Sequence, residues 1–129
     1  MAIRVVRLGT PRAAGEKLRV GTVRRPPRGV PKDQFAKRDF YDVWLPTVAP
    51  SQETMDIAHG ATTPAHWASF FRHYRAEMKR PDAQHAIALL AAMSHPVDFS
   101  VGCYCEVEEH CHRHALKELL RDAGAEIVE

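Results

Sequence analysis

The sequence predicts an α/β fold, a small three-layer, Rossmann-like domain with a mostly parallel sheet. Strand-like runs of β-branched residues alternate with segments of helical period along the 129 residues. Parallel neighbours in such a sheet are joined by right-handed crossovers, and ligands bind beyond the carboxyl ends of the strands. A chain of this length makes one domain, residues 1–129, and can bury a core. Its 45% hydrophobic and 26% charged residues are those of an ordinary soluble protein.

Ile3–Leu8 is a short β-branched run closed by Gly9-Thr10-Pro11, a first strand and its turn. Residues 12–40 are basic and broken by Gly15, Gly21, Pro26, Pro27, Gly29 and Pro31, which forbids a long helix and predicts a long loop of the kind that is either functional or disordered. Asp42–Leu45 before Pro46 reads as a second strand, and Val48–Thr62 as irregular. Thr63-Pro64 starts a helix, with a hydroxyl N-cap and a proline at the first helical position. Trp67, Phe70, Phe71, Tyr74 and Met78 follow at helical spacing, an aromatic stripe that serves core burial. Pro81 ends that helix and Asp82 can cap the next, which turns Ile87, Leu90 and Ala91 inward. Val97–Cys105 is a strand whose odd-numbered residues share one face. A helix from about Glu109 to Ala123 follows, capped by Gly124, and Ala125–Val128 makes a last short strand. Ile3–Leu8, Asp42–Leu45 and Val97–Gly102 are expected as neighbours in one sheet, with the Trp67–Met78 helix packed on it.

Charge is unevenly spread. Residues 1–40 hold eleven Lys/Arg against three acidic residues, a net +8, and the remainder carries −6. That split points either to an anionic partner for the first third or to docking of that third onto the rest. No apolar run approaches the ~20 residues of a membrane span. The start, MAIRVVRLG, lacks a signal peptide's apolar region. The expectation is a cytoplasmic protein without a membrane partner. Three cysteines, an odd number, argue against a disulfide framework there.

All three cysteines fall in VGCYCEVEEHCHRHAL, residues 101–116. Cys103, Cys105, Cys111 and His112 are four potential zinc or iron ligands, yet their spacing departs from the two-residue knuckles of structural zinc sites. Adjacent helical residues point ~100° apart, so Cys111 and His112 would not easily share one ion, and no metal ligand is assigned. Cys103–Cys105 is near the upper limit for a disulfide, and Cys105–Cys111 is an easier redox pair. A third reading places Cys111, His112 and Arg113 in the first helical turn, where backbone N–H groups attract anions and lower a thiol pKa. Glu106, Glu108 and Glu109 oppose that effect. Cys103, in mid-strand, reads as a small buried side chain.

RRPPRGVPK (24–32), YDVWLPTVAPS (41–51) and FSVGCYCEVEEHCHRHAL (99–116) together resemble the YeaO-like bacterial proteins, domain of unknown function 488. The resemblance runs over nearly the whole chain. It implies a small Rossmann-like α/β fold and no established activity. Its signature positions correspond to Arg24, Arg25, Gly29, Lys32, Asp42, Trp44, Cys103, Cys105, Cys111, His112 and Arg113.

The expected function is binding of a phosphorylated or otherwise anionic, nucleotide-like ligand at the carboxyl ends of the strands. Arg24, Arg25, Lys32 and Arg113 would hold the anion, and Trp44 or Tyr41 would stack on a base. Cys111 or Cys105 would be nucleophile or redox thiol, with His112 as acid/base. No G-x-x-x-x-G-K or G-x-G-x-x-G motif is present, and the sequence leaves any cofactor unknown. The alternatives are a non-enzymatic nucleic-acid-binding module using the basic first third, and a zinc or iron protein using the Cys/His cluster.

Overall fold

The computed structural model describes residues 2–105 and 108–128. Its centre is a four-stranded, all-parallel sheet in the order β1-β4-β2-β3, with β1 at Ile3–Arg7, β2 at Leu18–Gly21, β3 at Val43–Trp44 and β4 at Phe99–Cys103. Four helices accompany it: α1 (Gln52–His59), α2 (Pro64–Glu77), α3 (Pro81–Met93) and α4 (His112–Asp122). None of them is long and apolar enough to cross a membrane.

Register decides which face is apolar. Ile3, Phe99 and Leu18 stand side by side, as do Val5, Val101 and Val20. These residues join Tyr74 and Met78 at the end of α2, Ala83, Ile87 and Leu90 of α3, and Ala115, Leu116 and Leu120 of α4 in one core. The aromatic stripe of α2 is therefore core-facing at Phe70, Tyr74 and Met78, while Trp67 is half-buried. β4 is buried at every residue, as expected of a central parallel strand covered on both faces.

The opposite face is covered by loop. Arg19 of β2 is fully buried there, its guanidinium on Glu16 (Nε to Oε2, 2.9 Å) and on the carbonyls of Thr10 (2.7 Å) and Asp39 (2.9 Å). Glu16 also accepts from Ser100 Oγ of β4 at 2.9 Å. Farther along, a Cβ on Gly21 would overlap the ring of Tyr41, so β2 needs glycine to let this layer close down, and one on Gly102 would come within 2.6 Å of the Val6 carbonyl oxygen of the neighbouring β1. The third layer is thus built of residues 10–17 and 35–42.

Several local expectations hold. The Thr63 hydroxyl accepts from His66 N with Pro64 at the first helical position, and Gly124 follows α4 with φ +97°. Other details change. β4 lies between β1 and β2, and β3 pairs with β2 at the edge and not with β4. Leu18–Gly21 is a strand inside what reads as loop, and Gln52–His59 is a helix inside what reads as irregular chain. Arg80 is the N-cap of α3, with Pro81 at the first position, and the Asp82 carboxylate accepts from Ala83 N. The last segment makes a single parallel bridge, Ile3 to Ile127.

Candidate functional site

Beyond the carboxyl ends of β2 and β4 lies a cleft of about 470 Å³. Its lining brings together Cys103, Tyr104 and Cys105 from β4 and its extension, Arg24, Arg25 and Arg28 from the loop after β2, and His112 from the start of α4. The other wall is α1, through Gln52, Met55 and His59. That wall is fixed from below. Ser51 caps α1 by accepting from Thr54 N, and the Glu77 carboxylate accepts from both Ser51 N (3.0 Å) and Thr54 Oγ1 (3.1 Å). The loop before it is held by the buried Tyr74 hydroxyl, which donates to Val48 O at 2.7 Å. The signal for α1 was present in the sequence, as a serine N-cap before Gln-Glu-Thr, masked by a short and weakly apolar helix.

At the base of the cleft the Cys/His cluster assembles. Cys111 is the N-cap of α4 with extended backbone (φ −129°, ψ 148°). Because it stands outside the helix, the ~100° step between successive helical residues does not separate it from His112. Its sulfur lies 3.7 Å from His112 Nδ1. Cys103 Sγ, Cys111 Sγ and a ring nitrogen of His112 all lie within 4.8 Å of one another, and all three residues are buried. The expectation that Cys111 and His112 point apart is therefore corrected, and so is the expected thiol partner: Cys103, not Cys105, is the cysteine whose sulfur meets that of Cys111. The Cα atoms of that pair are 7.8 Å apart.

His112 has a defined tautomer. Nε2 is 2.6 Å from the Thr22 carbonyl oxygen, which can only accept, so Nε2 carries the proton and Nδ1 presents its lone pair to the sulfurs. Complete burial pushes the His112 pKa down to about 4, against the Thr22 contact that favours the charged form, so the ring is neutral at physiological pH. Thr22 is a functional partner that sequence reading missed, since a backbone carbonyl leaves no mark on residue identity.

The remaining expected site residues divide. Cys105 is exposed and lines the cleft; burial of its sulfur raises the thiol pKa, outweighing the nearby Arg113 and Arg7 charges. Cys111 is 1% exposed, so an open helix-start thiol is not what the fold builds. Arg113 is buried and donates to Cys105 O at 2.8 Å, bracing the segment after β4. Arg24 donates to Pro50 O (2.9 Å) and Ala49 O (3.2 Å), tying the two walls together, while Arg25 reaches Gln52 Oε1 at 3.1 Å and Arg28 is exposed.

Lys32, Tyr41 and Trp44 line a separate hollow with Asp33, Phe35, Ala36 and Asp42, so they do not converge on the cleft. Tyr41 is buried under β2 and edge-on to Phe35, and the Trp44 indole donates to Val23 O at 2.7 Å. Tyr41 is enclosed by the fold, while Trp44 is 42% exposed and lies on the separate hollow and not on the cleft. Glu106 lies outside the described residues, and Glu108–His110 form a 3₁₀ turn ahead of Cys111.

Comparison with curated proteins and with solved structures gave no match. A family model does match, over residues 3–124, and it describes the active DUF488-N3 subclade. The signature cysteines and histidine therefore sit where a parallel sheet puts its ligands, in a chain that belongs to the DUF488 family, in its active N3 subclade.

Proposed function

We propose that this protein binds a phosphorylated or otherwise anionic, nucleotide-like ligand in the cleft above β2 and β4, with the sulfur–imidazole cluster beneath as its reactive centre. The observation that carries this reading is the shared lining: Arg24, Arg25 and Arg28 face the same hollow as Cys103, Cys105 and His112. Arg25 and Arg28 supply exposed planar donors suited to phosphate or carboxylate. Met55 gives an apolar patch, and His59 adds an acid/base group on the rim. Cys105 is the thiol an entering ligand meets first, since Cys103 and Cys111 are buried below.

The nucleic-acid alternative draws less support. Much of the positive charge of the first third is engaged within the chain, Arg12 on Asp42 and Asp39, Arg19 on Glu16, and Arg24 on two carbonyls. Calorimetric titration with pyrophosphate, a nucleoside monophosphate and a single-stranded oligonucleotide tests the choice. The cleft reading expects the small anions to bind, at least tenfold more weakly in Arg25→Ala/Arg28→Ala, and equally well in Lys32→Ala. Binding of the oligonucleotide alone, with a steep salt dependence, would replace it with the nucleic-acid module.

A further inference from the structure

We propose that Cys103, Cys111 and His112 form a binding site for one zinc-class divalent ion, with its fourth coordination position open to the cleft. The proposal stands whether or not the cleft takes an anion. Two thiolates and one imidazole make a donor set that suits zinc, and three protein ligands with an open position mark catalytic zinc sites.

Three features of the geometry point there. The first is convergence. The ligand atoms come from the end of β4, the N-cap of α4 and the first residue of α4, and lie within 4.8 Å of one another. All three residues are buried, while Cys103 and His112 also line the cleft, which provides an entry path and an open side.

The second is the histidine. Nε2 donates to the Thr22 carbonyl at 2.6 Å, which leaves Nδ1 as the free lone pair on the side of Cys111. A ligating histidine generally donates its other ring N–H to a carbonyl or carboxylate, which fixes tautomer and orientation. That arrangement is already built.

The third is the backbone around the sulfurs. The Cα atoms of Cys103 and Cys111 are 7.8 Å apart, beyond the ~4.4–6.8 Å that disulfide-bonded cysteines ordinarily span. Side chains reaching inward from that spacing suit two thiolates on a common ion. A disulfide between the two sulfurs would not ligate. Its reduction takes two electrons from a phosphine, which leaves as its oxide, and two protons from water, and zinc binding to the dithiol then releases two protons.

The test uses the full chain, reduced with phosphine and free of chelator. Titration with Zn²⁺, and with Co²⁺ as a spectroscopic substitute, is expected to reach one ion per chain, with a thiolate-to-cobalt charge-transfer band. X-ray absorption at the zinc edge should give two sulfurs at ~2.3 Å and nitrogen or oxygen at ~2.0–2.1 Å. This measurement needs no substitution and so is independent of variant folding. Cys105→Ser should bind as the parent does, and Cys103→Ser and Cys111→Ser should each lose stoichiometric binding. A reduced chain that takes up no metal, a zinc shell of oxygen and nitrogen alone, or binding lost in Cys105→Ser but kept in Cys111→Ser would each overturn the proposal.

Discussion

Replacing Glu16 with glutamine removes one charge from a fully buried pair. The Arg19 side chain is 0% exposed and that of Glu16 1%. The carboxylate accepts from Arg19 Nε at 2.9 Å, Arg19 Nη2 at 3.2 Å, Ser100 Oγ at 2.9 Å and Ala13 N at 3.2 Å. In Glu16→Gln the guanidinium stays buried without a counter-charge, though the Thr10 and Asp39 carbonyls still accept from it. Breaking one side of a buried pair typically costs ~3–5 kcal/mol. The surviving carbonyl contacts place the expected loss near the lower end, about 3 kcal/mol. For a domain of this size that lowers Tm by roughly 10–15 °C. The comparison variant is Arg12→Ala, which removes a bidentate contact to Asp42 (2.7 and 3.0 Å) between side chains 24% and 27% exposed. Solvent screening limits that loss to about 1 kcal/mol.

The assay is urea and thermal unfolding followed by circular dichroism at pH 7 and at lower pH. Burial alone would raise the Glu16 pKa, but the hydrogen bonds from Arg19, Ser100 and Ala13 N outweigh it and hold the pKa below the ordinary 4.5. A carboxylate with a depressed folded pKa contributes stability that is fully present above its unfolded value and is lost as pH falls through the folded one. The gap between parent and Glu16→Gln should therefore be complete at pH 7 and shrink below about pH 4.5. A Glu16→Gln variant within 1 kcal/mol of the parent at pH 7, or an equal loss in Arg12→Ala, would refute burial as the source of the effect.

Three further outcomes are expected. Gly102→Ala should cost ~1–3 kcal/mol in urea unfolding, because the added methyl meets the Val6 carbonyl oxygen at 2.6 Å and sheet backbone cannot yield cheaply; a neutral variant would contradict the close packing. Tyr41→Phe should be neutral or more stable by about 1 kcal/mol, since the buried hydroxyl has no hydrogen-bond partner among the described residues and removing it ends a desolvation cost. A clear loss of stability there would mean that the hydroxyl makes a favourable contact in solution. Iodoacetamide at pH 7, mapped by mass spectrometry in the absence of reductant, should label Cys105 before Cys103 or Cys111, because only Cys105 is exposed; first labelling at Cys111 would show that the start of α4 opens.

The sequence by itself determined the elements whose local chemistry agrees with their place in the fold. Ile3–Arg7 carries three β-branched residues in five, Phe99, Val101 and Cys103 alternate on one strand face, and Thr63-Pro64 and Gly124 begin and end helices through their own backbone preferences. It also singled out residues 101–116 as the candidate site, because three cysteines and three histidines within twelve positions are conspicuous before any folding.

Tertiary structure decided the rest. Leu18–Gly21 is strand because β4, a partner no local window contains, offers its edge. Lys32, Tyr41 and Trp44 are near the arginines in sequence, yet they lie in a different hollow because the chain turns across the far face of the sheet between them. Cys111 and His112 converge only because Cys111 stays extended as an N-cap, and Cys103 meets them because β4 ends against the start of α4. Sequence spacing carries periodicity within an element. The meeting of side chains from separate elements is set by how those elements pack, and it was there that the candidate site was made.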